Sequence, residues 1–148
     1  MYSLSVRQPF ASLIAVGEKT IEWRSRVWNY RGPVVICASK NPRVKAGNGL
    51  YLPTGAALCI VEMKDCRPMT KQDLLAACCE DYEGPVDGYA WVLENAREVE
   101  PVSVKGIVAP WPWKGPELVP APGWHDARYA LYEDETESEP PPQPLGMK

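Results

Sequence analysis

Apolar and polar positions change period several times along the chain, and each change marks an element. Tyr2 to Val6 alternates and carries aromatic and β-branched residues, which predicts a short strand. Pro9 suits the first turn of a helix, Phe10, Leu13 and Ile14 share one face, and Gly17 supplies the stop. From Thr20 to Arg24 the alternation returns, with Ile21 and Trp23 on one side and Thr20, Glu22 and Arg24 on the other, all-polar side. Pro33 to Ser39 is a continuous apolar run and reads as a central strand. Asn41 to Thr54, rich in Gly, Pro, Asn and Lys, predicts a long mobile loop, and Gly55 to Asp65 the next strand. Thr70, with Asp73 three positions on, caps a helix of about ten residues. Tyr82 to Gly88 is turn-rich, and Tyr89–Leu93 and Val102–Val108 read as two more strands. Beyond Ala109 come Trp111, Pro112 and Trp113, then a proline-studded stretch to Trp124.

Five or six short strands with two or more short flanking helices predict an α+β fold built on a small β-barrel. Parallel βαβ winding is disfavoured, because several strands follow one another with no helix between them. The 148 residues suffice for one domain with its own core, assigned to residues 1–132. Residues 133–148 form an acidic tail with Pro140, Pro141, Pro142 and Pro144, which is not expected to fold alone. No apolar run approaches the ~18–20 residues of a membrane span, and the first ten residues lack the charged cap and apolar stretch of a secretory signal. A soluble cytoplasmic protein with no membrane partner is expected.

The net charge of −3 conceals an asymmetry. Residues 1–45 carry eight bases against Glu18 and Glu22, whereas the tail carries five acids against one lysine. A basic N-terminal third fits a polyanion-binding surface, or merely a solvated face. Five cysteines without a CxxC pair, and a single histidine at position 125 with no visible partner, argue against a spaced zinc site. The cysteines read as reduced packing residues, and the sequence calls for no metal and no cofactor.

The informative chemistry lies between Arg7 and Arg24. Arg7 and Gln8 precede the first helix, Lys19 enters from the connecting turn, and Thr20, Glu22 and Arg24 share one side of the following strand. A cleft holding a lysine, a carboxylate and an arginine can grip a phosphate and a base edge together. It can also hold a proton-transfer pair if burial brings the Lys19 and Glu22 pKa values toward neutrality. A Glu–Arg salt bridge beside a solvated lysine is the simpler alternative, and periodicity and composition alone favour it. The basic loop Lys40–Lys45, with Arg43, is a further phosphate-contact candidate. Trp23, Tyr89 and Trp91 read as barrel wall, whereas Trp28, Tyr30, Trp111 and Trp113 include candidates for stacking on an unpaired base.

Gln8-Pro-Phe-Ala11, Gly17-Glu-Lys-Thr-Ile-Glu-Trp-Arg24, the strand ending Ala38-Ser-Lys40, and Trp91-Val-Leu-Glu-Asn95 with Pro101 and Lys105-Gly106 together resemble an ASCH domain of the PUA-like superfamily. The resemblance runs from about Tyr2 to Trp113 and leaves the tail outside. It implies a PUA-like barrel with a cleft beside the first helix suited to RNA or a nucleotide, lined by Lys19, Glu22 and Arg24, with Ser39 and Lys40 facing them. Some small bacterial relatives are amidohydrolases that deacetylate a modified cytidine with a lysine and a threonine of this motif. Lys19 matches the lysine; Glu22 stands at the threonine position, and Thr20 lies two residues earlier.

Three functions follow. The first is binding of single-stranded RNA or a nucleotide through Arg7, Gln8, Lys19, Thr20, Glu22, Arg24, Ser39, Lys40 and Arg43. The alternative is a small hydrolase, a ribonuclease or an amidohydrolase on an acylated nucleoside, with Glu22 as base and Lys19 as its catalytic partner. The third is an interaction domain whose acidic tail engages a protein or masks the cleft.

Overall fold

The strand that organises the core is the one the sequence marks by its unbroken apolar run. Val34, Ile36 and Ala38 face one side of the sheet and Val35 and Cys37 the other, and all five are fully buried. A strand covered on both faces has no use for alternation. Burial also pushes the Cys37 thiol up to about 12, so this cysteine packs as a small hydrophobe.

The computed structural model describes residues 1–105 and 110–129; residues 106–109 and 130–148, the acidic tail included, lie outside them. Among the described residues six strands and two α-helices follow in order: β1 (Tyr2–Val6), α1 (Phe10–Ala15), β2 (Ile21–Arg24), β3 (Gly32–Ala38), β4 (Ala56–Pro68), β5 (Tyr89–Ser103), β6 (Trp111–Pro112) and α2 (Trp124–Tyr129). The six strands form one curled sheet in the order β2-β5-β4-β3-β1-β6, an open half-barrel of the PUA-like kind. β4 and β5 pair along 13 and 15 residues with three register shifts, and such bulges bend a strand pair and increase its twist. α1 fills the concave side, packing Ala11, Ile14 and Ala15 against Leu4, Ile36, Leu58, Met63 and Leu93. The convex side of β3 and β4 is covered by Val102, Val104, Trp111, Trp113 and Leu118.

Several expectations are corrected. β1 and β3 are parallel neighbours, joined across α1 and β2, although the other pairings are antiparallel. The two strands expected between Tyr89 and Val108 are one, β5, because Asn95 adopts a left-handed φ of 55° and absorbs a register shift without ending the strand. The end of the expected second strand lies outside the described residues. The helix expected after Thr70 is only a 3₁₀ turn, Lys71–Asp73, although its capping box forms as read. The loop 41–54 contains a hydrogen-bonded hairpin with Lys45 bridged to Tyr51. No helix among the described residues is long and apolar enough to cross a membrane.

His125 departs furthest from expectation. It is fully buried on α2, its Nδ1 lies 2.8 Å from Glu98 Oε2, and its Nε2 lies 3.0 Å from Ser12 Oγ. Glu98 also accepts the backbone N–H groups of Gly123 and His125. With Glu98 accepting at Nδ1, the neutral ring accepts the Ser12 hydroxyl at Nε2. Ser12 in turn accepts Gln8 Nε2, which also donates to the Pro53 carbonyl. This closed chain ties α2, β5, α1 and the segment before β4. It has the order of a nucleophile triad, yet Ser12 is as buried as its partners and neither Ser12 nor His125 lines the cleft described below. Its role is to hold α2 down.

Burial holds His125 below its ordinary value, partly offset by Glu98. A histidine kept neutral in the fold contributes stability above pH ~6.5 that is lost as pH falls toward its folded pKa. Denaturant unfolding across pH 7 to 5 should therefore show falling stability. His125→Asn should remove most of that slope and cost about 2–3 kcal/mol at pH 7.

Candidate functional site

The site is built where α1 hands the chain to β2. Gly17, at φ +86°, turns the chain out of α1, and the Glu18 and Lys19 amides donate to the Leu13 carbonyl. Lys19 is thereby directed inward rather than into solvent. Its side chain is only 3% exposed, its Nζ donates to the Ala77 carbonyl at 2.6 Å, and it sits 5.0 Å from the Phe10 ring centroid. Glu22 is the counter-charge: Oε1 lies 3.6 Å from Lys19 Nζ, and Oε2 accepts Arg24 Nε at 2.7 Å. Arg24 Nη2 reaches across to the Ser5 carbonyl of β1 at 2.8 Å, and its guanidinium lies 5.5 Å from the Trp91 ring.

The segment after β4 makes this possible. Arg67 grips Asp73 through two 2.8 Å bonds, and Thr70 adds its amide and hydroxyl to the same carboxylate. Arg67 foremost, with Thr70, holds the Asp73 carboxyl well below the usual carboxylate range. The clamped turn delivers two carbonyls: Ala76 accepts the Thr20 and Ile21 amides, and Ala77 accepts Lys19. At the far end of β2, Gly88 has φ +76°, and a Cβ there would lie 2.8 Å from the Arg24 carbonyl oxygen.

Lys19, Glu22 and Arg24 open onto one cleft of about 590 Å³, whose walls include Ser5, Arg7, Phe10, Trp23, Ser39, Asn41 and Cys79. Arg7, Lys19 and Arg24 line it together with a single carboxylate, Glu22. The buried Ser5 Oγ has no hydrogen-bond partner among the described residues. No three His, Cys, Asp or Glu side chains among the described residues converge as a metal set would.

The family profile for the ASCH domain matches residues 4–103, about two thirds of the chain. This protein belongs to the ASCH domain family. The half-barrel agrees with solved structures of that kind. A crystal structure of ASCH from Zymomonas mobilis aligns with TM-score 0.51 and 19% identity over 69% of this chain and 72% of that one. Two variants of the Zymomonas protein, tyrosine to phenylalanine and serine to alanine, align with TM-score 0.50 and 18% identity over 69–70% of this chain and 73–74% of theirs. No curated protein matches the chain significantly.

Within this ASCH domain the expected site residues separate into two groups. Arg7, Lys19, Glu22, Arg24 and Ser39 share the cleft. Gln8 does not: it is buried in the His125 network. Thr20 lies just ahead of β2, exposed, and lines a separate hollow of about 130 Å³ with Asn95 and Leu93. Its hydroxyl is thus not beside Glu22, as strand alternation from Thr20 had suggested. Lys40 and Arg43 are exposed outside the cleft. Trp28 and Tyr30 stack on one another at 5.2 Å and also pack on Tyr2, so their faces are largely occupied. Sequence reasoning missed Phe10 and Ser5 as wall residues and read Trp23, which also lines the cleft, as barrel wall on the opposite face; Phe10's place directly after the Arg7-Gln8-Pro9 entry was the available signal. It also missed Cys79, which falls in the segment read as a helix and found as a 3₁₀ turn followed by further turns.

Cys79 is half-buried on the cleft wall, while Cys37 and Cys59 are buried with their thiols pushed up by burial. In the native protein a thiol reagent should modify Cys79 while sparing Cys37 and Cys59, read by mass spectrometry. Gly88→Ala should cost more than ~1 kcal/mol by denaturant unfolding, because strain and the Arg24 carbonyl coincide there.

Proposed function

We propose that the cleft of this ASCH domain binds an unpaired nucleotide of RNA, with Arg7 and Arg24 meeting phosphate and Glu22 and Lys19 meeting the base edge or ribose. The observation that carries this reading is the convergence of Lys19, Glu22 and Arg24, from one six-residue stretch, on a single hollow. Phosphate is well matched by guanidinium groups that stay partly exposed, as Arg24 does at 24%. A carboxylate with one oxygen held by arginine keeps lone pairs on the other for an N–H or O–H of the ligand. The apolar faces of Phe10 and Trp23 suit a base plane.

A second reading is hydrolysis, favoured by the 3.6 Å approach of Lys19 Nζ to Glu22 Oε1 inside that cleft. Glu22 would take a proton from water or from a ribose 2′-hydroxyl, and Lys19 or Arg24 would stabilise the charge that develops on the attacked phosphoryl or acyl oxygen. With the Thr20 hydroxyl outside the cleft, a threonine nucleophile has no support, and Glu22 would have to activate water directly.

Arg24→Gln is the cleaner probe than Lys19→Ala, since Lys19 also holds the Ala77 carbonyl. Fluorescence anisotropy with labelled single-stranded RNA should show roughly tenfold weaker binding for Arg24→Gln and a shallower salt dependence. Unchanged binding would rule the cleft out as the RNA site. Incubation with labelled RNA and with acetylcytidine, beside Glu22→Gln, tests turnover: activity that survives the substitution excludes Glu22 as base.

A further inference from the structure

The hairpin after β3 carries charge without counter-charge. Residues 39–55 contain Lys40, Arg43 and Lys45 and no carboxylate, and all three cations are exposed. None of them takes part in an ion pair among the described residues. The segment is nevertheless held in place. Ala46 donates to Leu50 at 2.7 Å and Leu52 to Val44 at 2.8 Å, while Asn48 Nδ2 ties the tip to the Arg128 carbonyl. At its base Leu52 is buried and the Pro53 carbonyl accepts Gln8.

What the cations touch is an aromatic ring. The Arg43 guanidinium carbon lies 3.9 Å, and Lys45 Nζ 5.3 Å, from the Tyr51 ring centroid. A ring quadrupole attracts a cation but does not neutralise it and does not consume its N–H donors. The two side chains are therefore ordered in advance, fully charged and free to donate outward, which lowers the entropic cost of gripping an anion. The hairpin also starts at the cleft: Ser39 and Asn41 line it, and Arg43, two residues on, has its Cα within about 7 Å of that of Asn41.

We infer that Arg43 and Lys45, ordered by Tyr51, form a second phosphate-binding element continuous with the cleft, so that the ligand is a single strand of several nucleotides rather than a free nucleotide. This rests on the reading of the cleft as a nucleotide site. A strand with one unpaired nucleotide in the cleft would pass its flanking phosphates over the hairpin. An acidic peptide would meet the same charge but would not use Phe10, Trp23 and Glu22 in the cleft.

The test compares the full chain with Arg43→Gln/Lys45→Gln, Tyr51→Phe, Tyr51→Leu and Arg24→Gln. Each is titrated with a labelled single-stranded RNA of about a dozen nucleotides and with nucleoside monophosphates. The double variant should bind the oligonucleotide more weakly, with its salt slope reduced by about 1.4 (~0.7 for each phosphate no longer neutralised). Its monophosphate affinity should be unchanged. Tyr51→Phe, which keeps the ring, should bind like the parent, and Tyr51→Leu should lose part of the affinity. If the double variant binds the oligonucleotide normally while Arg24→Gln is impaired, the hairpin element is wrong and the cleft reading stands. If the double variant is impaired and Arg24→Gln is not, the continuous track and the cleft reading both fail. Polyglutamate competing as well as RNA would identify an acidic-peptide surface and overturn the inference.

Discussion

A buried ammonium cannot be left alone, and the site is organised around that constraint. Lys19 Nζ has almost no contact with water, so it must recover in the protein the interactions that it loses from solvent. It finds a backbone carbonyl, a carboxylate and an aromatic ring, and each comes from a different part of the chain. The carboxylate must in turn be balanced, and Arg24 does so while reaching the β1 backbone. One buried cation thus fixes the mutual positions of α1, β1, β2 and the turn after β4. The interactions that make Lys19 structural are also those that hold Glu22 and Arg24 at the mouth of the hollow.

The remaining architecture serves to keep those segments still. The long β4–β5 pair curls the sheet, and β2 hangs from the end of β5 with Glu22 opposite Trp91 and Arg24 opposite Tyr89. At the other end of β5, Glu98 anchors α2 through His125, and the same hydrogen-bonded chain ends at Gln8, beside the cleft residue Arg7. β5 therefore carries two polar anchors, one beside the cleft and one in the core. Their chemistry differs: the cleft group is partly open, while burial holds the His125 imidazole below its ordinary value.

What was legible in the sequence is what local physics determines. The β3 run, the strands β1 and β2, Gly17 as the stop of α1 and the Thr70–Asp73 cap all form, because each is decided within a few residues. The charged triplet was legible too, since a turn and one strand suffice to aim it. What was hidden is non-local. His125 meets Glu98 and Ser12 across 27 and 113 positions, and no periodicity announces such a contact. The unity of β5 was obscured by Glu94, Asn95, Arg97 and Glu98, polar residues that a bulged strand tolerates. Thr20 was assigned to the wrong side because alternation was extended one residue beyond the point where β2 begins.

Membership of the ASCH domain family and an open PUA-like half-barrel describe the scaffold; function has to be argued from the hollow itself. We propose that the hollow beside α1 receives an unpaired nucleotide. The decisive measurement is a residue-resolved NMR titration of the full chain with short single-stranded RNA. Saturable shifts should concentrate at Phe10, Lys19, Glu22, Arg24, Ser39 and Asn41. Shifts that avoid these residues and gather elsewhere, for example at the open depression of Ser25, Met69 and Val86, would refute the assignment.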